Sequence, residues 1–142
     1  MTDAEASAVS EFLDTSVIVR YLVQDDPNLA EQARQIIDER PTLIIPAVTI
    51  TETAFVLTSF YSMPRVAVVD ALIALLQRHN ISVYQLDTDI VIQALMLCRP
   101  SGRVSFADAM LWASARQSGT GSVVYTFDRQ FPSFGIGVRN EL

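Results

Sequence analysis

Four acidic residues stand where carboxylates could do chemistry: Asp14, Glu52, Asp108 and Asp128. Asp14 closes the apolar run Phe12-Leu13 and opens Asp14-Thr15-Ser16, while Asp128 follows Thr126-Phe127 and precedes Arg129. Glu52 lies inside an apolar stretch that starts at Val48 and ends at Leu57, and Asp108 lies inside Phe106-Ala107-Asp108-Ala109-Met110-Leu111-Trp112. Each has an ordinary structural alternative. Asp is a favoured N-cap, which would account for Asp14. Asp128 reads as a turn residue, and Ser105-Phe106-Ala107-Asp108 as a capping box with Asp in place of Glu. Glu52 is the hardest to explain this way. A carboxylate within an apolar helix is costly unless paired, neutralised or metal-bound, and Arg20 is its pairing candidate. Four carboxylates gathered at one sheet edge would repel one another and raise each other's pKa. A hard divalent cation relieves that repulsion. Mg²⁺ or Mn²⁺ prefers carboxylate and water oxygen and leaves positions open for a substrate phosphate. The chemistry implied is metal-assisted phosphodiester hydrolysis.

Composition narrows the alternatives. The 142 residues include ten basic side chains, all of them Arg, with one His and one Cys. The absence of Lys removes the P-loop nucleotide site and Schiff-base catalysis. His79 and Cys98 cannot form an ordinary zinc site within one chain, and any Ser–His–Asp triad would have to use His79. Five glycines without a G-x-G-x-x-G run argue against a Rossmann cofactor site. The net charge of −6 is the wrong sign for a broad, sequence-independent nucleic-acid platform, and it suits a basic protein partner. Half the residues are hydrophobic and only 18% are charged, which points to a large core, a buried oligomer interface, or both. Met-Thr-Asp-Ala-Glu at the start has no positive n-region, and no stretch has the ~20 apolar residues of a membrane helix. The expectation is a cytoplasmic protein with no membrane association.

The elements that must position the acids follow from punctuation and periodicity. Residues 1–8 read as a flexible tail, and residues 9–142 as a single domain. Short apolar strands are expected at 9–13, 42–45, 82–86 and 122–126, with a weak one at 136–139. Residues 17–22 fit either a buried helical turn or a strand. Asp26-Pro27 starts a helix over 28–39. Helices are also expected over 48–61, from Pro64 to about 78, over 90–97 behind Asp87, and over 106–117 with Gly119 as the stop. Asp25-Asp26, Asp87 and Asp89 read as caps, His79 as a helix-end cation, and Cys98 as a small buried hydrophobe. Trp112 reads as core or dimer interface, and Phe60 and Tyr61 as part of a partner-binding patch. Short apolar strands alternating with helices indicate an α/β fold, a three-layer α/β/α sandwich with a mostly parallel central sheet. In such folds ligands bind at the carboxyl ends of strands, which is where Asp14 and Asp128 fall.

Taken in order, Phe12-Leu13-Asp14-Thr15-Ser16, Thr51-Glu52, Phe106-Ala107-Asp108-Ala109 and Thr126-Phe127-Asp128-Arg129 resemble a PIN-domain ribonuclease. Within that group the chain resembles a VapC-like toxin of a type II toxin–antitoxin pair, over nearly its whole length. The resemblance implies that Asp14, Glu52, Asp108 and Asp128 are catalytic and bind one or two Mg²⁺ or Mn²⁺ ions. Asp14 and Asp108 would be direct ligands; Glu52 and Asp128 would act directly or through water. Ser16 and Thr126 match hydroxyl positions bordering the site. Arg103 and Arg129 flank two of the acids and are candidates for phosphate contacts, with surface ion pairing as their alternative. The implied substrate is RNA, often tRNA or rRNA, and the implied partners are a cognate antitoxin and a second copy in a homodimer. An RNA-processing nuclease that is not a toxin, and a catalytically silent PIN-like binding module, are the competing readings. A phosphomonoesterase is disfavoured because Asp14 is followed by Thr15-Ser16 rather than completing a D-x-D signature.

Overall fold

Asp14 ends one short extended segment and starts the first helix. A computed structural model describes residues 9–142; the tail expected over 1–8 lies outside the described residues. Helix α1 (Thr15–Val23) begins at Asp14, whose extended backbone and side chain cap it, and ends at Gln24 in the left-handed region. This decides between helix and strand for residues 17–22 in favour of helix. Helix α2 (Pro27–Glu39) is capped by Asp26, which accepts from the Leu29 amide at 3.1 Å, with Pro27 in the first turn. Strand β1 (Leu43–Ile45) stops at Pro46, which leads into α3 (Ala47–Phe55). The helix then widens into a π turn (Val56–Phe60), where the Tyr61 amide reaches back to the Val56 carbonyl. The Thr58 hydroxyl bonds the Ala54 carbonyl at 2.8 Å, a back-bond that competes with the regular helical ladder.

The second half repeats the pattern. Helix α4 (Arg65–Leu76) leads to β2 (Ile81–Val83), then α5 (Thr88–Cys98) behind the Asp87 cap and α6 (Phe106–Gln117) behind the Ser105 cap. Gly119 ends the last helix at φ +112°, a conformation that favours glycine. Strands β3 (Val123–Tyr125) and β4 (Gly137–Arg139) close the described chain.

All strand pairing between these elements is parallel. β1 pairs with β2 in the register Leu43–Ile81, Ile44–Ser82, Ile45–Val83, and β3 pairs with β4. The α/β class and its parallel strands are as expected. Two details differ. The strand expected at 9–13 reduces to one parallel bridge, Phe12 to Ile44, because only Glu11 and Leu13 exchange backbone bonds with Ile44. The strand expected at 82–86 ends at Val83, because Gln85 takes a positive φ and Leu86 folds back to bridge Val83. The strands form two parallel pairs among the described residues.

Burial follows the apolar pattern. Leu13, Ile18, Ile37, Ile45, Ile50, Leu57, Val68, Val91 and Leu95 belong to one core that also takes in Trp112, Val124 and Phe131. At ~25 cal/mol per Å² of apolar area, each such side chain contributes roughly 1.5–3 kcal/mol. Trp112 belongs to this core and donates its indole N–H to the Phe134 carbonyl at 3.0 Å. Arg65 ties α4 to α5 and the segment beyond it: its guanidinium donates to the Cys98 and Val104 carbonyls and lies 4.5 Å over the Phe106 ring. Helix α3 packs against both α1 and α6, and α6 packs against β3. The elements carrying the four acids are thus consecutive neighbours in space.

Candidate active site

Asp14 and Glu52 face one open cleft of about 380 Å³, bordered also by Thr15, Ser16, Arg20 and Tyr61. Their shared position has a local cause. Asp14 is the cap of α1, and Thr15, the first residue of that helix, is buried against α3. The Thr15 hydroxyl donates to Glu52 Oε2 at 3.1 Å and receives a long contact of 3.5 Å from the Thr53 hydroxyl. Thr53 in turn bonds the Thr49 carbonyl within its own helix at 2.7 Å. A buried pair of threonines therefore joins the two acid-bearing helices.

Asp14 accepts twice from Ser16, from the hydroxyl at 2.6 Å and from the amide at 3.2 Å, both on Oδ2. These bonds hold its carboxyl below the usual aspartate range, the Ser16 hydroxyl being the largest cause. The cap reading and the functional reading of Asp14 are both satisfied, since its other oxygen, Oδ1, accepts no bond from a described residue.

Glu52 differs from its expectation. It is exposed, and Arg20 does not pair with it. The apolar neighbours misled because α3 turns part of its apolar surface outward: Val48 is 73% exposed and Phe55 66%. Arg20 instead pairs with Asp25 at 2.9 Å, and the Tyr61 hydroxyl donates to the other oxygen of Asp25 at 3.1 Å. Asp25 is thus an ion-pair partner rather than a cap. Partial desolvation pushes its carboxyl up, but the bonds from Tyr61 and Arg20 outweigh that and hold it low. This Arg20–Asp25–Tyr61 group borders the cleft, and neither its connectivity nor the role of Thr15 has a signature in the sequence. The π turn that brings Phe60 and Tyr61 to the cleft was likewise missed; its one sequence cue is the hydroxyl pair Thr58-Ser59.

Asp108 sits in the first turn of α6. Its amide donates to the Ser105 hydroxyl at 3.0 Å, half of the expected capping box. The reciprocal bond from its carboxylate is not made, and that carboxylate accepts no bond from the described residues. Asp128 lies past the end of β3 in a separate depression of about 230 Å³ that it shares with Thr126, Arg129 and Arg139. Its carboxylate accepts from the Gln130 amide at 2.9 Å, and its own amide donates to the Thr126 hydroxyl at 3.0 Å. The structure thus brings Asp14, Ser16 and Glu52 to one cleft, and Thr126, Asp128 and Arg129 to another. Among the described residues, no three His, Cys, Asp or Glu side chains stand together as a ready-made metal cage. Asp14 and Glu52 line the first cleft, Asp128 lines the second, and Asp108 lines neither. Arg103 and Arg129 are exposed, and neither pairs with a described acid, so surface ion pairing does not account for them.

The donor set still fits a hard cation. Asp14 and Glu52 offer only carboxylate oxygen in an open cleft, and Mg²⁺ commonly takes one or two carboxylates and keeps several waters. His79 is exposed beyond the end of α4, and Cys98 is fully buried, its thiol pushed up to about 11 by burial. Neither is placed to compete as a ligand in this cleft.

Parallel strand pairs clad in helices, with acids at two helix starts and beyond a strand end, define an acidic α/β domain. A family model of the PIN domain matches residues 12–136, and the chain belongs to that nuclease family. Among solved structures, the chain is similar to VapC20 of Mycobacterium tuberculosis, described as a Sarcin-Ricin loop cleaving toxin. The two share 27% identity over 89% of this chain and 95% of that one, with a TM-score of 0.43. No curated protein matches the chain. Among the described residues, no helix is long and apolar enough to cross a membrane.

Proposed function

We propose that this protein is a Mg²⁺- or Mn²⁺-dependent endoribonuclease that acts in the cytoplasm as a toxin and is held in check by a cognate antitoxin. The observation that carries the reading is the cleft in which the hydroxyl of Thr15 and the cap of α1 hold Glu52 and Asp14 side by side, in a chain of the PIN domain family. Asp14 and Glu52 would hold the cation, with Asp108 and Asp128 completing the acidic set from α6 and from the loop beyond β3. When bound, the ion supplies charge neutralisation at the scissile phosphate and makes water acidic enough to attack near neutral pH.

The chain's own residues do the rest. Ser16 keeps Asp14 ionised by donating to it, and Thr15 fixes the Glu52 carboxylate. Thr126 holds the backbone of the Asp128 loop through the Asp128 amide. Arg103 and Arg129, free of described acids, are left to meet substrate phosphates. A basic antitoxin segment entering the Asp14–Glu52 cleft would pair with these carboxylates and block the site, consistent with the net charge of −6. A homodimer, and tRNA or rRNA as substrate, belong to the same reading.

The test is cleavage of total cellular RNA by the purified chain in Mg²⁺ or Mn²⁺, with chelator, and with Asp14→Asn and Asp108→Asn. Defined fragments that disappear in all three controls are expected. Intact RNA under every condition, with metal binding to the cleft intact by calorimetry, would point to the silent binding module. Cleavage in vitro without growth arrest on expression in cells would point to the processing nuclease.

A further inference from the structure

The loop and strand beyond Asp128 carry a feature that the acidic cleft does not use. Tyr125 and Phe127 are 58% and 92% exposed, although both extend from a strand whose Val124 is buried. Arg139 pairs in register with Tyr125 on the neighbouring parallel strand, and its carbonyl accepts from the Thr126 amide at 2.9 Å. Register partners in a sheet place their side chains on one face, so Tyr125 and Arg139 stand together. Arg129 and Arg139 line the same depression, both exposed. Among the described residues, five of the ten arginines are engaged in ion pairs, namely Arg20, Arg34, Arg40, Arg78 and Arg99. Arg129 and Arg139 are not among them.

We infer that this edge is a single-strand subsite, in which Phe127 and Tyr125 offer π-faces to bases and Arg129 and Arg139 hold the flanking phosphates. The inference rests on the ribonuclease reading above and adds to it the residues that hold the strand beside the acids. Aromatic faces interleaved with unpaired cations are what a single strand requires, because every base has a face to stack and every linkage a charge to neutralise. A second copy of this chain fits less well: a two-fold contact through this patch would set arginines against arginines. The patch also abuts Asp128, one of the four acids.

The experiment measures binding of a fluorescein-labelled single-stranded RNA of mixed sequence by anisotropy, with Ca²⁺ in place of Mg²⁺ to hold cleavage off. It compares the unmodified chain with Phe127→Ala, Phe127→Leu and Arg139→Gln, each checked for an unchanged melting temperature. Loss of the stacking face is expected to weaken binding by roughly tenfold in both Phe127 variants. Arg139→Gln is expected to lower the slope of log affinity against log salt by roughly 0.7, the share of one single-strand phosphate contact. Variants that bind like the unmodified chain would overturn the subsite and leave the ribonuclease reading standing. So would unchanged binding together with loss of a dimer in sedimentation, which would make the patch a contact between copies. An unmodified chain that neither binds this RNA nor cleaves cellular RNA would overturn both.

Discussion

The cleft at Asp14 and Glu52 and the depression at Asp128 lie in the same acidic chain and are built in opposite ways. In the cleft, the nearest arginine is withdrawn: Arg20 is held by Asp25, which Tyr61 also grips. The carboxylates are left facing open space, each steadied by a neutral hydroxyl. In the depression the Asp128 carboxylate is steadied by a backbone amide, that of Gln130, and Arg129 and Arg139 make no ion pair with a described acid. One region presents negative charge to a cation; the other presents positive charge and aromatic faces to an anion. Net charge hides this division, because −6 describes the sum and not the two surfaces.

The sharpest way to break the comparison is to neutralise one acid in each region. Asp14→Asn is expected to lower RNA cleavage by about a hundredfold or more, measured under single turnover in Mn²⁺. Asn caps a helix as well as Asp does, so the melting temperature should hold. Asp128→Asn is expected to cost less, about tenfold, because Asp128 borders the second depression and not the cleft where Asp14 and Glu52 would hold the cation. Equal losses would mean that the two regions close into a single site during catalysis. Thr15→Val, which keeps shape and removes the hydroxyl, is expected to slow cleavage several-fold and to destabilise the fold by about 1 kcal/mol, read by urea titration. Asp14→Ala removes cap and charge together and should add a stability loss of ~1 kcal/mol that Asp14→Asn does not show.

The smallest effect is in pH. The carboxyls of Asp14, Asp25, Glu11, Glu31 and Asp70 are held below their ordinary values, so their contribution to stability is complete above those values. It is lost as pH falls through the lowered ones, which puts the acid limb below about pH 4. Ser16→Ala should let the Asp14 carboxyl rise and remove part of that contribution, so its melting temperature is expected to be slightly lower than that of the unmodified chain above about pH 4 and to converge with it at the acid end.

Elements with local signals were legible in the sequence. Asp26-Pro27, Asp87 and Ser105 each open a helix where expected, and Gly119 closes one. Their caps involve neighbours within a few residues, so spacing alone reveals them. Long-range choices were not legible. Whether residues 9–13 pair fully or at one bridge depends on Ile44, and whether Asp25 caps or pairs depends on Tyr61, 36 residues away. The apolar neighbours of Glu52 predict burial, whereas this helix leaves Val48 and Phe55 exposed. Four acids could be picked out by type and order; which of them share a cleft is a property of packing.

Cys98 carries one more consequence. It is the chain's single sulfhydryl, fully buried, with its proton held to about pH 11 and Arg65 bonded to its own carbonyl. A thiol reagent cannot reach it until α4 and α5 separate. The rate at which such a reagent labels the protein therefore records how often its interior opens, giving a clock for conformational breathing that requires no engineered probe.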